Sequence, residues 1–235
     1  MSEQRAPSAP TGASWWAAVG AVLWKDLLLE SRTREIVTPI LVFSLLVIVI
    51  FSFVLDPSPR LIESVAPGAL WVAFTFAGML GLNRAFALEK ERGGMEGLLL
   101  SPVGRALLYF GKMLGAFLFM LLVEIIMLPA FSAVFNLPLV EPGLWLVIVL
   151  ATFGFATVGT AFAAMAVNTR AREILLPVLF FPVAAPVIIA AAEATRAVYA
   201  GDSFADYSNW IGLIAAFDVI FAVVAAATFE FIVNE

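Results

Sequence analysis

Residues 36–55 are twenty consecutive residues without an ionisable side chain. A helix of that length, at about 1.5 Å of rise per residue, crosses the ~30 Å hydrocarbon core of a bilayer. Long, predominantly apolar runs recur at about 67–88, 106–135, 144–167, 174–192 and 210–231. The chain as a whole is 63% hydrophobic and 13% charged. Soluble domains carry about 25% charged residues, so this composition cannot cover a water-facing surface. The expected fold is an all-α polytopic membrane protein with six transmembrane helices. Residues 15–235 form a single transmembrane domain, preceded by a disordered segment, 1–14, rich in Pro, Ser and Ala.

Residues 15–35 are too often charged to span. Trp16, Val19, Leu23, Leu27 and Leu28 share one side, with Lys25, Asp26, Glu30 and Arg32 largely opposite. That pattern predicts an amphipathic helix lying in the interface, its tryptophans at headgroup level. Two spans carry small residues every four positions: Ala73, Ala77, Gly81 and Ala85 in the second, Thr152, Ala156, Thr160 and Ala164 in the fourth. Such stripes let helices approach closely in lipid, within one chain or between copies. Pro129 is expected to bend the third span. Pro177, Pro182 and Pro186 predict a kinked or broken fifth span, with 193–209 folding back beyond it as a polar lid.

The stretch 89–102, EKERGGMEGLLLSP, is the most charge-dense in the chain. Gly93 and Gly94 allow a sharp turn. Met95, Leu98 and Leu99 then fall on one helical face, and Ser101-Pro102 suits the start of the next helix. The reading is a short amphipathic helix parallel to the membrane, with Glu89, Glu91 and Glu96 beside it; a solvated charge cluster is the simpler alternative. Lys and Arg counts orient the chain. Eleven lie on the side of the amino terminus, of 89–102 and of the loop after the fourth span; Arg60 and Arg196 lie on the other. Both termini and 89–102 are therefore expected in the cytoplasm.

The missing chemistry narrows the function. There is no cysteine and no histidine, hence no thiolate metal site, no disulfide and no imidazole base. Gly111-Lys112 is followed by Met113, so a phosphate-cradling loop is absent. No catalytic and no metal-binding residues are assigned, and the chain is not expected to be an enzyme. Nor do the dispersed basic residues suggest a nucleic acid. Glu124 and Asp218 lie inside spans, where a carboxylate is costly unless it faces water or a partner. Each is a candidate functional group; the simpler alternative is a carboxyl group that is protonated or bonded to a polar group of a neighbouring helix.

Six spans, an interfacial first helix and the pattern Glu91, Gly93 or Gly94, Glu96, Leu98, Leu99, Ser101, Pro102, then Gly111-Lys112, resemble ABC-2-type exporter permeases. Within that class, Trp24-Lys25-Asp26-Leu27 with Glu30 and Arg34, and Ala66-Pro67-Gly68-Ala69-Leu70-Trp71, make the chain similar to the heme exporter protein B family of cytochrome c maturation. The resemblance implies a type V exporter-like permease fold with a cytoplasmic coupling helix at 94–100 seated on a separate ATPase. It further implies a heme-handling membrane subunit (CcmC-like), a small membrane subunit (CcmD-like) and a periplasmic heme chaperone (CcmE-like) beside the ATPase (CcmA-like). Two copies per complex, surrounded by membrane lipid, are expected in the bacterial inner membrane. No covalent cofactor is expected: heme would be substrate, and ATP would act only through the partner. An axial heme ligand could come only from a methionine or from Tyr109, Tyr199 or Tyr207; Met79, Met113, Met120, Met127 and Met165 lie in or near spans, where methionine is more often packing. Export of a drug, lipid or polysaccharide is the alternative, and a channel or secondary carrier a further one.

Overall fold

The computed structural model describes residues 37–54, 58–91, 105–166 and 171–232, together with Gly20, Trp24 and Thr169. Apart from Gly20 and Trp24, the expected interfacial helix 15–35 lies outside the described residues. So does most of the charge-dense stretch, with Gly93, Gly94, Met95, Glu96, Leu98, Leu99, Ser101 and Pro102.

Among the described residues there are six helices: α1 (Val37–Val54), α2 (Pro59–Glu91), α3 (Arg105–Phe135), α4 (Pro142–Ala166), α5 (Arg172–Tyr199) and α6 (Phe204–Ile232). The last five are long and apolar enough to cross a membrane. The first, at 18 residues, reaches about 27 Å. The chain is thus a multi-pass membrane protein. α4 packs against α2, α3, α5 and α6, while α1 sits outside against α2 and α3.

α4 can touch four neighbours because it is thin. From Ala151 to Ala166 its buried positions are mostly Ala, Gly and Thr. A Cβ at Gly159 would run into Leu82 of α2, and one at Gly154 into the Asp218 carboxylate of α6. Hydrocarbon offers no hydrophobic drive between helices, so contact this close is what holds them together. The stripes are buried inside the chain at Ala73, Ala77 and Gly81 on α2, where the fourth member, Ala85, is exposed, and at Thr152, Ala156, Thr160 and Ala164 on α4. A Cβ at Gly81 would lie 3.0 Å from Ile40 of α1 and 3.1 Å from Phe119 of α3. These seams are closed by the chain's own helices.

Two expectations are corrected. Of a kinked or broken fifth span, the break is absent: α5 runs as one helix through Pro177, Pro182 and Pro186 to Tyr199. Pro182 and Pro186, four apart, sit on an exposed face. The opposite face, with Phe180, Ala184, Val187, Ala190, Ala191 and Ala194, is buried. An interior proline costs ~3 kcal/mol in an isolated helix, and packing along that whole buried face offsets it. Nor does 193–209 fold back as a lid; it is two helix ends and a tight turn. Gly201 takes φ +76°, Asp202 N–H donates to Ala197 O (3.0 Å) and Gly201 N–H to Val198 O (3.1 Å). This is a Schellman closure. Ser203 then caps α6, its N–H and Oγ–H both donating to Asp206 Oδ2 at 3.0 and 2.7 Å. The helices also outrun the expected spans elsewhere. α2 starts at Pro59, a good first helical residue after Ser58, rather than near 67, and Pro67 lies within it.

The turn gives a test of opposite signs. Gly201→Val should lower stability by roughly 1–2 kcal/mol, because its backbone is left-handed. A Cβ at Gly212, inside α6, meets nothing within 4 Å, so Gly212→Ala should raise stability by ~0.5–1 kcal/mol. Thermal unfolding in detergent reads both.

Candidate functional site

In hydrocarbon a buried polar group finds a partner only in protein, so the polar contacts inside the bundle mark what its helices must keep. Three of them hold neighbouring helices together. On the side where α2 begins and α5 ends, the Trp71 indole N–H donates to Thr195 Oγ1 at 2.9 Å. Trp71 is fully buried and meets Phe74 and Phe155 edge-on, at ring separations of 5.6 and 6.1 Å. At the other end of the bundle, Tyr109 Oη–H of α3 donates to Thr157 O of α4 at 2.8 Å.

The third contact lies near mid-depth. Glu124 of α3 is buried, and the Thr152 hydroxyl of α4 reaches both of its oxygens, at 2.9 and 2.8 Å. A hydroxyl has one proton, which it shares between them. Glu124 also borders a cleft with Met120, Gly78, Ala77 and Phe74, which has room for about one water molecule. The sequence singled out Glu124 and Thr152 separately, one as a costly carboxylate and the other as a small packing residue; the structure brings them together. Ala156 and Thr160 continue down α4, and the Thr160 hydroxyl has no partner. Asp218 is placed differently. It is 5% exposed and neither oxygen has a hydrogen-bond partner.

Glu89 and Glu91 form part of the last turn of α2, which therefore carries helix into the charge-dense stretch. Met79, Met113, Met120 and Met127 are packed into the core, and Met165 is exposed. Among the described residues no three His, Cys, Asp or Glu side chains cluster to hold a metal. Sequence reasoning passed over the Trp71–Thr195 and Tyr109–Thr157 contacts. The available signal was chemical: an indole or phenol within an apolar run needs an acceptor.

Removing the hydroxyl by Thr152→Val should cost about 1–3 kcal/mol, because it leaves a buried carboxyl group without its donor. Glu124→Leu combined with Thr152→Val should cost less than the sum of the two single changes. A double-mutant cycle on unfolding in detergent measures the coupling, expected to exceed ~0.5 kcal/mol.

The comparisons with known proteins agree with one another. The profile of the CcmB protein family matches residues 17–233. The heme exporter protein B of Pseudomonas aeruginosa is 33% identical over 190 residues, 80% of this chain and 85% of the relative. That of Paracoccus denitrificans is 32% identical over 184 residues, 77% and 84% of the two chains. That of Rhodobacter capsulatus is 30% identical over 178 residues, 75% and 81%. With a match that takes in all six helices and the stretch between α2 and α3, the chain belongs to the CcmB family.

Proposed function

We propose that this chain is the membrane permease subunit of a heme export system serving cytochrome c maturation, driven by a separate ATPase. The observation that carries the reading is the family match across residues 17–233, supported by relatives named heme exporter protein B. The packed polar interior suits a transport subunit rather than an enzyme, since Glu124, Tyr109 and Trp71 are each spent on helix contacts. The four buried methionines are core packing, which favours ligation of heme by another subunit and leaves heme as substrate here.

The ATPase (CcmA-like) would seat the helix at 94–100, with Met95, Leu98 and Leu99 in its groove and Glu89, Glu91 and Glu96 against basic groups. Gly93 and Gly94 would provide the turn, and Ser101-Pro102 the re-entry into α3. A heme-handling subunit (CcmC-like), a small subunit (CcmD-like) and a periplasmic chaperone (CcmE-like) complete the proposed assembly. Two copies of this chain fit it, meeting through surfaces other than the stripes on α2 and α4, which this fold uses internally. The inner membrane, with both termini in the cytoplasm, is the proposed setting.

Loss of this chain should abolish covalent heme in c-type cytochromes of the organism that carries it, read by heme staining; normal maturation refutes the reading. Leu98→Asp with Leu99→Asp should release the ATPase on purification while the protein stays inserted. Orientation is accessible because the chain has no cysteine. A cysteine at Val140, which is 86% exposed, should react with an impermeant thiol reagent in intact cells. One at Thr169, exposed on the opposite side of α4, should be protected until the membrane is opened.

A further inference from the structure

Asp218 is a carboxyl group that the bundle buries without giving it a partner. Both oxygens are enclosed, and neither accepts a hydrogen bond. Oδ1 lies against the backbone of Gly154, where any side chain would collide with it. The residue sits about 20 Å along α6 from its start, well inside the apolar region. Its exposed neighbours, Val219 and Ile220, place it at the edge of the seam between α4 and α6.

Among the described residues no counter-charge lies at that depth. α6 packs against α3, α4 and α5. α4 has no ionisable side chain from Pro142 to Ala166, and α5 has none between residues 174 and 192. On α3 the one such group between residues 113 and 135 is Glu124, another carboxylate, already bonded to Thr152. The remaining groups lie toward the helix ends: Arg105, Tyr109 and Lys112 on α3; Arg172, Glu173, Glu193, Arg196 and Tyr199 on α5; Asp206, Tyr207 and Glu230 on α6. Of these, Arg196 pairs with Glu193 at 2.8 Å and Asp206 accepts from Ser203. A metal cation would need several oxygen ligands, and no cluster of three candidate ligands exists among the described residues. One cation is satisfied by a single carboxylate oxygen, and that is a proton.

We propose that Asp218 is a proton-binding site in the seam between α4 and α6. Its carboxyl group holds one proton while α6 lies against Gly154 and gives it to water when the seam parts. In that step –COOH and H2O become –COO⁻ and H3O⁺; the O–H electron pair stays on the carboxylate, and water now solvates the charge that hydrocarbon could not. Proton occupancy and the position of α6 are therefore linked. The inference needs the bundle to sit in a membrane; it is independent of heme and of the ATPase.

The test is infrared spectroscopy of the full-length protein in lipid nanodiscs, reading the carbonyl band of neutral carboxylic acids. Asp218 is the one aspartate of five within a span, the others being Asp26, Asp56, Asp202 and Asp206. Aspartate labelled with carbon-13 at its carboxyl should shift a neutral-acid band at neutral pH. That component should vanish in Asp218→Asn and in wild type at alkaline pH. Thermal stability should fall with rising pH in wild type, and Asp218→Asn should show less of that fall. Absence of a band that responds to labelled aspartate overturns the proposal, as does one that survives Asp218→Asn or stays complete at alkaline pH. If Asp218→Asn does not fold, the labelling and pH series on wild type still decide.

Discussion

Lipid tails are as apolar as leucine, so a helix in the bilayer gains little by exchanging lipid for another apolar helix at ordinary distance. What it can gain is close contact, and here that depends on α4. The Ala, Gly and Thr positions from Ala151 onward strip that helix of bulk on the faces it turns to α2, α3, α5 and α6. Large side chains on the neighbours, such as Leu82 and Phe180, then lie against its backbone at Gly159. The aromatic set of Trp71, Phe74, Phe155 and Phe180 packs edge to face across α2, α4 and α5. A single bulky substitution on α4 would therefore reach several helices at once.

Polar groups add direction to this packing. Dispersion would tolerate many rotations of one helix about another, whereas a hydroxyl paired with a carboxylate tolerates few. Glu124 with Thr152 sets α3 against α4 near the middle, and Tyr109 with the Thr157 carbonyl sets them again nearer one end. Trp71 with Thr195 does the same for α2 and α5. Each joins residues far apart in the chain, so together they fix the arrangement of helices and not merely their lengths.

How much of this was legible in the sequence depends on the range of the physics involved. Apolar runs follow from hydrocarbon thickness, a property of every residue in the run: six were expected, and six helices are found, five of them long and apolar enough to cross a membrane, with ends up to about eight residues beyond the expected runs. The small-residue stripes are local patterns of spacing four and were equally readable, although whether they faced another copy or another helix was not. Pro177, Pro182 and Pro186 misled because proline's cost is local while the compensation, a buried face against α4, is tertiary. The α5–α6 turn was legible in principle, since Gly201, Ser203 and Asp206 stand at C-cap and N-cap spacing. Composition, polar and aromatic together, drew the reading toward a lid instead. The partner of Glu124 could not be chosen from sequence, because several hydroxyls lay within equal reach.

That turn has a mechanical consequence. Ala197, Val198, Gly201 and Asp202 close the end of α5 with backbone hydrogen bonds, and Ser203 with Asp206 closes the start of α6 immediately afterwards. Between the two closures there is no spare chain to act as a hinge. Thr195, one turn before, is tied to Trp71 of α2. A pull on the far end of α5 or α6 would thus be transmitted to the turn that joins them as the tilt of a stiff lever, with the Trp71 contact as its fulcrum, and the two helices would move as one arm.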